Sequence, residues 1–156
     1  MSVRLVIAED TEHIRRMLVD ILGLHGFDVV AEARTGDEAL RRVDENVPDV
    51  VVVGHSRHGL DGVEATRRIR DHGPHPQVIL YAAIDSETED RAKDAGAVTC
   101  VSRTAGVEAL AREITAITFC VERSRAPFAG ASGSDARELR RGAERSHARS
   151  EAVRLP

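Results

Sequence analysis

Five short β-branched runs, each followed by a stretch with helical spacing, leave this chain of 156 residues few folds to choose from. The runs cover residues 3–8, 28–33, 50–53, 78–81 and 98–101. After the first, Ile14, Met17, Leu18, Ile21 and Leu22 recur at i, i+3, i+4, i+7 and i+8, the spacing of one apolar helix face. Ala39, Leu40 and Val43 repeat the pattern briefly. Val107, Leu110, Ala111, Ile114, Ile117 and Val121 extend it in the last helix. Helix starts are marked as well: Thr35-Gly36-Asp37-Glu38 and Ser86-Glu87-Thr88-Glu89 read as capping boxes, and Asp61 with Glu64 is a close variant. Gly96 stands where the fourth helix should end in a left-handed cap.

Strands alternating with helices predict an α/β domain, a doubly wound parallel sheet of five strands with helices on both faces. Crossovers in such a sheet are right-handed. The first and third runs are the most apolar, as central strands buried on both sides should be. Sites in these folds lie beyond the carboxyl ends of the strands, where the strand order reverses. That rule places Glu9-Asp10, Gly54-His55 and Ala82-Ala83 on one rim. Periodicity alone does not choose among doubly wound folds.

Charge divides the chain. Residues 123–156 carry eight Arg against four acids, so they are +4, which leaves 14 basic and 22 acidic residues and a net −8 elsewhere. The expected organisation is a domain over residues 1–122 and a linker with a basic tail over 123–156. Residues 126–134 have a flexible-linker composition, and the tail beyond offers few large apolar residues, so disorder or a short helix is expected there. The tail mixes Glu among its Arg, has no aromatic in its charged part and lacks helix-turn-helix periodicity, which argues against specific nucleic-acid reading. No apolar stretch is long enough to span a bilayer, and the first run is too short for a signal peptide. Cys100 and Cys120 show no metal or disulfide spacing, so reduced thiols and a cytoplasmic setting are expected.

Adjacent carboxylates at the end of a first strand suit a hard cation such as Mg²⁺, which takes oxygen ligands. The alternative is that Asp10 or Thr11 caps the next helix. His13, His55 and His58 beside this pair match no closed zinc pattern. There is no glycine-rich phosphate loop, so a nucleotide site is the weakest reading.

Three motifs fall in register: Pro48-Asp49 before the third run and Gly54 after it, Gly59-Leu60-Asp61-Gly62, and Gly96-Ala97 before the fifth run. With them, residues 3–121 resemble the receiver domain of bacterial response regulators. The resemblance implies a flavodoxin-like (CheY-like) sheet of order 2-1-3-4-5. It also implies two-component signalling, in which an aspartate at the end of the third strand accepts a phosphoryl group from a histidine kinase. Here that position is Gly54. The hydroxyl residue ending the fourth strand is replaced by Ala82, the switch aromatic of the fifth strand by Cys100, and the phosphate-contacting lysine by Arg103. Only Glu9 and Asp10 survive of the phosphotransfer set. They form at most a weak Mg²⁺ site, and no other cofactor is expected. Arg103, a planar fork suited to carboxylates, is expected to pair with Glu9 or Asp10.

The function expected on this basis is an atypical receiver, a pseudo-receiver. It would be no enzyme and would bind a protein partner (a kinase, a regulator or another receiver, a second copy of itself included). The expected contact face is the fourth helix, fifth strand and fifth helix. One alternative is a phosphorylation-competent regulator using Ser56 or His55, neither of which has an evident activating base. Another is a fragment of a transcription regulator whose basic tail contacts nucleic acid.

Overall fold

The computed structural model describes residues 2–73 and 75–129, of which 121–129 are described by backbone alone. Five strands, β1 (Arg4–Ala8), β2 (Asp28–Ala33), β3 (Val50–Val53), β4 (Gln77–Ala82) and β5 (Thr99–Ser102), alternate with five helices. These are α1 (Glu12–Leu24), α2 (Gly36–Asn46), α3 (Gly62–Asp71), α4 (Ser86–Ala95) and α5 (Gly106–Ala129). All strand pairs are parallel, in the order β2-β1-β3-β4-β5. This is the doubly wound, CheY-like sheet expected from the sequence.

The strand at the centre shows why. β3 is four valines, every one buried, because both faces of a central parallel strand are covered. Val51 and Val53 face a cluster completed by Ala39 of α2, Val63, Ala65 and Ile69 of α3, and Ala92 and Ala95 of α4. Val50 and Val52 face the other way, against Leu18 and Leu22 of α1 and Leu110, Ala111 and Ile114 of α5. Residues up to Thr118 form one compact unit. Among the described residues no helix is long and apolar enough to cross a membrane.

Most helix signals hold. Thr35 Oγ1 accepts from Glu38 N at 3.1 Å, Asp61 Oδ1 accepts from Glu64 N at 3.1 Å, and Gly96 takes φ 109°. The cap of α4 is Asp85 rather than Ser86: its carboxylate accepts from Thr88 N at 2.7 Å. A charged acceptor at a helix N-terminus outcompetes a hydroxyl one residue later. In α1 the buried stripe is Arg15, Leu18 and Leu22, and Met17 is 39 % exposed. The backbone of α5 continues to Ala129, through residues 126–129, whose composition suggests a linker. Of the linker and tail expected over 123–156, residues 130–156 lie outside the described residues, as does the side chain of Val121.

α2 ends badly. Its C-cap, Val47, has φ 46° and ψ 63°, the left-handed region, and its side chain is 76 % exposed. A β-branched residue there is crowded, and the following Pro48 disfavours it further. Val47→Gly is expected to raise stability by about 1 kcal/mol, read as a higher urea midpoint at unchanged slope.

Candidate functional site

The rim is built by hydrogen bonds that run one residue past the strands. Glu9 N donates to Ala33 O at 2.9 Å, and Gly54 N donates to Ala8 O at 2.8 Å. Both residues are therefore set by the sheet. A residue the sequence reading missed also holds Glu9: the buried Arg15 donates from Nη1 to Glu9 O at 3.0 Å and from Nε to Glu32 Oε1 at 3.2 Å.

Glu9 is only 1 % exposed. Its Oε2 accepts from Arg103 Nη2 at 3.1 Å, and its Oε1 accepts from Thr11 N at 3.1 Å. A Cβ placed on Gly54 would overlap Glu9 Oε2 and lie 2.8 Å from its Cδ. The Glu9 carboxylate thus fills the space in which any side chain at position 54 would begin. Arg103, on the turn Arg103–Ala105 after β5, is 31 % exposed, and its Nε is buried without a partner. Of the two carboxylates expected to meet this guanidinium, it takes Glu9.

Asp10 faces the loop after β3. Its Oδ2 accepts from Ser56 Oγ at 2.9 Å and from Leu60 N at 3.0 Å. Thr11, not Asp10, occupies the cap of α1, and its side chain makes no cap bond. The two acids separate in acidity. Burial, seconded by Asp10, pushes Glu9 upward against the pull of the Thr11 N–H and Arg103. Burial acts on Asp10 as well, but hydrogen bonding with Glu9, the Leu60 N–H and the Ser56 hydroxyl outweighs it and holds that carboxyl at about 2.

The other expected site residues are spread around this pair. Ala82 is buried at the end of β4. Cys100 is half-buried against the α2–α3–α4 cluster, where burial raises its thiol. His55 Nδ1 accepts from Gly62 N at 3.0 Å, so that nitrogen carries no proton and its 3.7 Å approach to Asp61 is no ion pair. Asp61 serves as the α3 cap. Among the described residues no three His, Cys, Asp or Glu side chains are grouped to hold a metal, so His13, His55 and His58 do not form a site with the acidic pair.

The donors also decide the fit to Mg²⁺. Such an ion needs free carboxylate oxygens and open octahedral positions. Here Glu9 is committed to Arg103 and Thr11 and Asp10 Oδ2 to Ser56 and Leu60, which leaves Asp10 Oδ1 with the Thr11 hydroxyl at 3.5 Å, and a positive charge stands 3.1 Å from Glu9. This donor set favours an internal ion pair over a hydrated divalent cation, with Asp10 Oδ1 the oxygen left for a weak Mg²⁺ contact.

The acidity has a sign. Because the folded state raises Glu9, its charge costs stability at neutral pH, and the cost is relieved as pH falls through the raised value. Asp10 acts oppositely: its stabilisation is full above its unfolded value of 3.8 and is lost as pH falls toward about 2. Arg103→Met leaves the Glu9 charge buried without its cation. Discounted for the exposure of Arg103, the loss at neutral pH is expected to be about 2 kcal/mol. Urea unfolding should show that loss shrinking as pH falls through the raised Glu9 value, where the carboxyl takes a proton.

Comparison with known proteins agrees with this architecture. The family profile of the response regulator receiver domain matches residues 5–115. The chain is 39 % identical over 107 residues to a protein-glutamate methylesterase/protein-glutamine glutaminase of Haloarcula marismortui, covering 67 % of this chain and 29 % of that protein. It is 33 % identical over 122 residues to the transcriptional regulatory protein PdtaR of Mycobacterium tuberculosis, covering 78 % and 58 %. The chain therefore spans less than two thirds of either relative. Among solved structures, a LuxR-family two-component response regulator from Aurantimonas sp. superposes with a TM-score of 0.65 at 31 % identity, over 75 % of this chain and 85 % of that one. A CheY-like receiver domain protein from Methanospirillum hungatei reaches 0.72 over 80 % and 99 %, at 18 % identity, a likeness of fold. With the β2-β1-β3-β4-β5 sheet and the matched motifs, these place the chain in the family of response regulator receiver domains.

Proposed function

We propose that this receiver works in two-component-type signalling as a protein-interaction module without aspartyl phosphorylation. One observation carries the reading: the Glu9 carboxylate, held by Arg103, occupies the place where an acceptor side chain at position 54 would start. A glycine offers no nucleophile, and a side chain there would have to displace the Glu9 carboxylate. With Ala82 for the hydroxyl and Cys100 for the aromatic, the side chains that would make different contacts in two states are missing too. The module would present one constitutive surface to a kinase, a regulator or another receiver, through α4, β5 and the start of α5. No chemistry of its own is assigned to it, and Mg²⁺ is not required.

One observation favours the second reading. Contrary to the sequence expectation, Ser56 does have a carboxylate on its hydroxyl, Asp10 at 2.9 Å. A carboxyl held at about 2 is a poor proton acceptor, which is why this reading ranks second. Incubation with acetyl phosphate and Mg²⁺, followed by intact mass, separates the two. No mass change is expected, whereas one stable phosphoryl group on Ser56 or His55 would establish the alternative.

A further inference from the structure

In a metal-dependent receiver the second acid of the pair would be offered to the cation. Here Asp10 is turned to a different task. Its Oδ2 receives two donors from the same loop, the Ser56 hydroxyl at 2.9 Å and the Leu60 amide at 3.0 Å. Those two residues are themselves joined, Ser56 N donating to Leu60 O at 2.9 Å. His55, just before Ser56, accepts from Gly62 N at 3.0 Å, just after the loop. The segment between β3 and α3 is thus a closed ring with a carboxylate at its centre.

The ring also needs the glycine within it. A Cβ on Gly59 would overlap Asp10 Oδ2 and come within 2.7 Å of Ser56 Oγ and 2.9 Å of Asp10 Cγ. The bare backbone at 59 lets the carboxylate settle against the loop, much as the bare backbone at 54 lets Glu9 settle against β3. The acidic pair therefore divides its labour: Glu9 fills the acceptor site, and Asp10 closes the loop.

We propose that Asp10 is the positioning residue of the β3–α3 loop, a carboxylate anchor that fixes this part of the rim without any metal ion. The exposed Arg57 and His58 at the loop tip are then presented in one arrangement whatever the divalent-ion concentration. This goes beyond the reading of the domain as unphosphorylated, because a loop held by Asp10 is a statement about metal dependence and not about phosphate.

Amide exchange on the full chain tests it, with the Leu60 N–H as the reporter. Wild type should exchange Leu60 equally slowly in chelator and in millimolar Mg²⁺. Asp10→Ala should speed Leu60 exchange by about tenfold or more while the β1 and β3 amides keep their protection. Gly59→Ala, which leaves the carboxylate intact but puts a methyl group in its seat, should speed Leu60 similarly. Asp10→Asn, which keeps one acceptor oxygen, should fall between. Slowing of wild-type Leu60 exchange by Mg²⁺ would overturn the proposal, as would Leu60 exchange unchanged in both Asp10→Ala and Gly59→Ala. Acetyl phosphate plays no part in this assay, so the proposal and the proposed function can fail separately.

Discussion

Gly54→Asp is expected to cost about 4 kcal/mol of stability and to yield no phosphoprotein. The substitution restores the residue type a receiver needs, but its first atom falls on Glu9 Oε2. Glu9 cannot simply swing away. It is 1 % exposed, and its oxygens are held by Arg103 and by Thr11 N. A third carboxylate in that space meets two others and one guanidinium, whose Nη2 already donates to Glu9. The measurements are urea unfolding and intact mass after acetyl phosphate with Mg²⁺. A coupled pair tests the cause: Gly54→Ala combined with Glu9→Ala should lose about 1–2 kcal/mol less than the sum of the single changes, because the second substitution vacates the space the first one needs. A stable Gly54→Asp protein that takes up phosphate would show the Glu9–Arg103 pair to be easily displaced.

Gly62→Ala should cost about 3 kcal/mol, with no rescue by any change at Glu9. Gly62 opens α3 directly beneath the rim. A Cβ there would overlap Gly54 O, sit 2.6 Å from Leu80 Cδ1 and 3.1 Å from Gly54 C. At Gly54 the obstacle is the end of a side chain. At Gly62 it is backbone, and that backbone is tied to the sheet through the Gly54 N–Ala8 O bond of 2.8 Å. Relief therefore requires α3 to move as a body, against Val63, Ala65 and Ile69 packed in the core. Thermal or urea unfolding of Gly62→Ala, alone and with Glu9→Ala, should give the same loss in both backgrounds.

The fold was legible because its signals are local. Each strand announced itself by β-branched content, Thr35 and Asp61 by their spacing to Glu38 and Glu64, and Gly96 by its place after a helical pattern. The site was legible in its membership but not in its pairings. Sequence placed Glu9, Asp10, Gly54 and Ala82 on one rim, and the resemblance offered Arg103 two carboxylates. That Glu9 takes it depends on the depth of β1 and the empty space over Gly54, which only the packed sheet defines. The bond from Ser56 to Asp10 spans 46 positions and leaves no trace in either local pattern. Arg15 was within reach: it stands three residues before Leu18 and seven before Leu22, the buried stripe of α1, but its charge argued for solvent. The backbone carbonyl of Glu9 and the Glu32 carboxylate are what let it stay inside.

The two sides of the sheet also differ in a way that bears on how the chain tolerates change. The α2–α3–α4 side is closed by alanines at positions 39, 65, 92, 95 and 97 with Val63 and Ile69 among them, whereas the α1–α5 side is closed mainly by Leu18, Leu22, Leu110 and Ile114. Small side chains bring helices close and leave nothing to give, so enlargement there forces whole helices outward. Large ones leave holes when trimmed, so the opposite side suffers from shrinkage. Drift in this sequence is thereby steered: one layer can lose bulk with difficulty and the other can hardly gain it, and the exposed surface is left to absorb most of the variation.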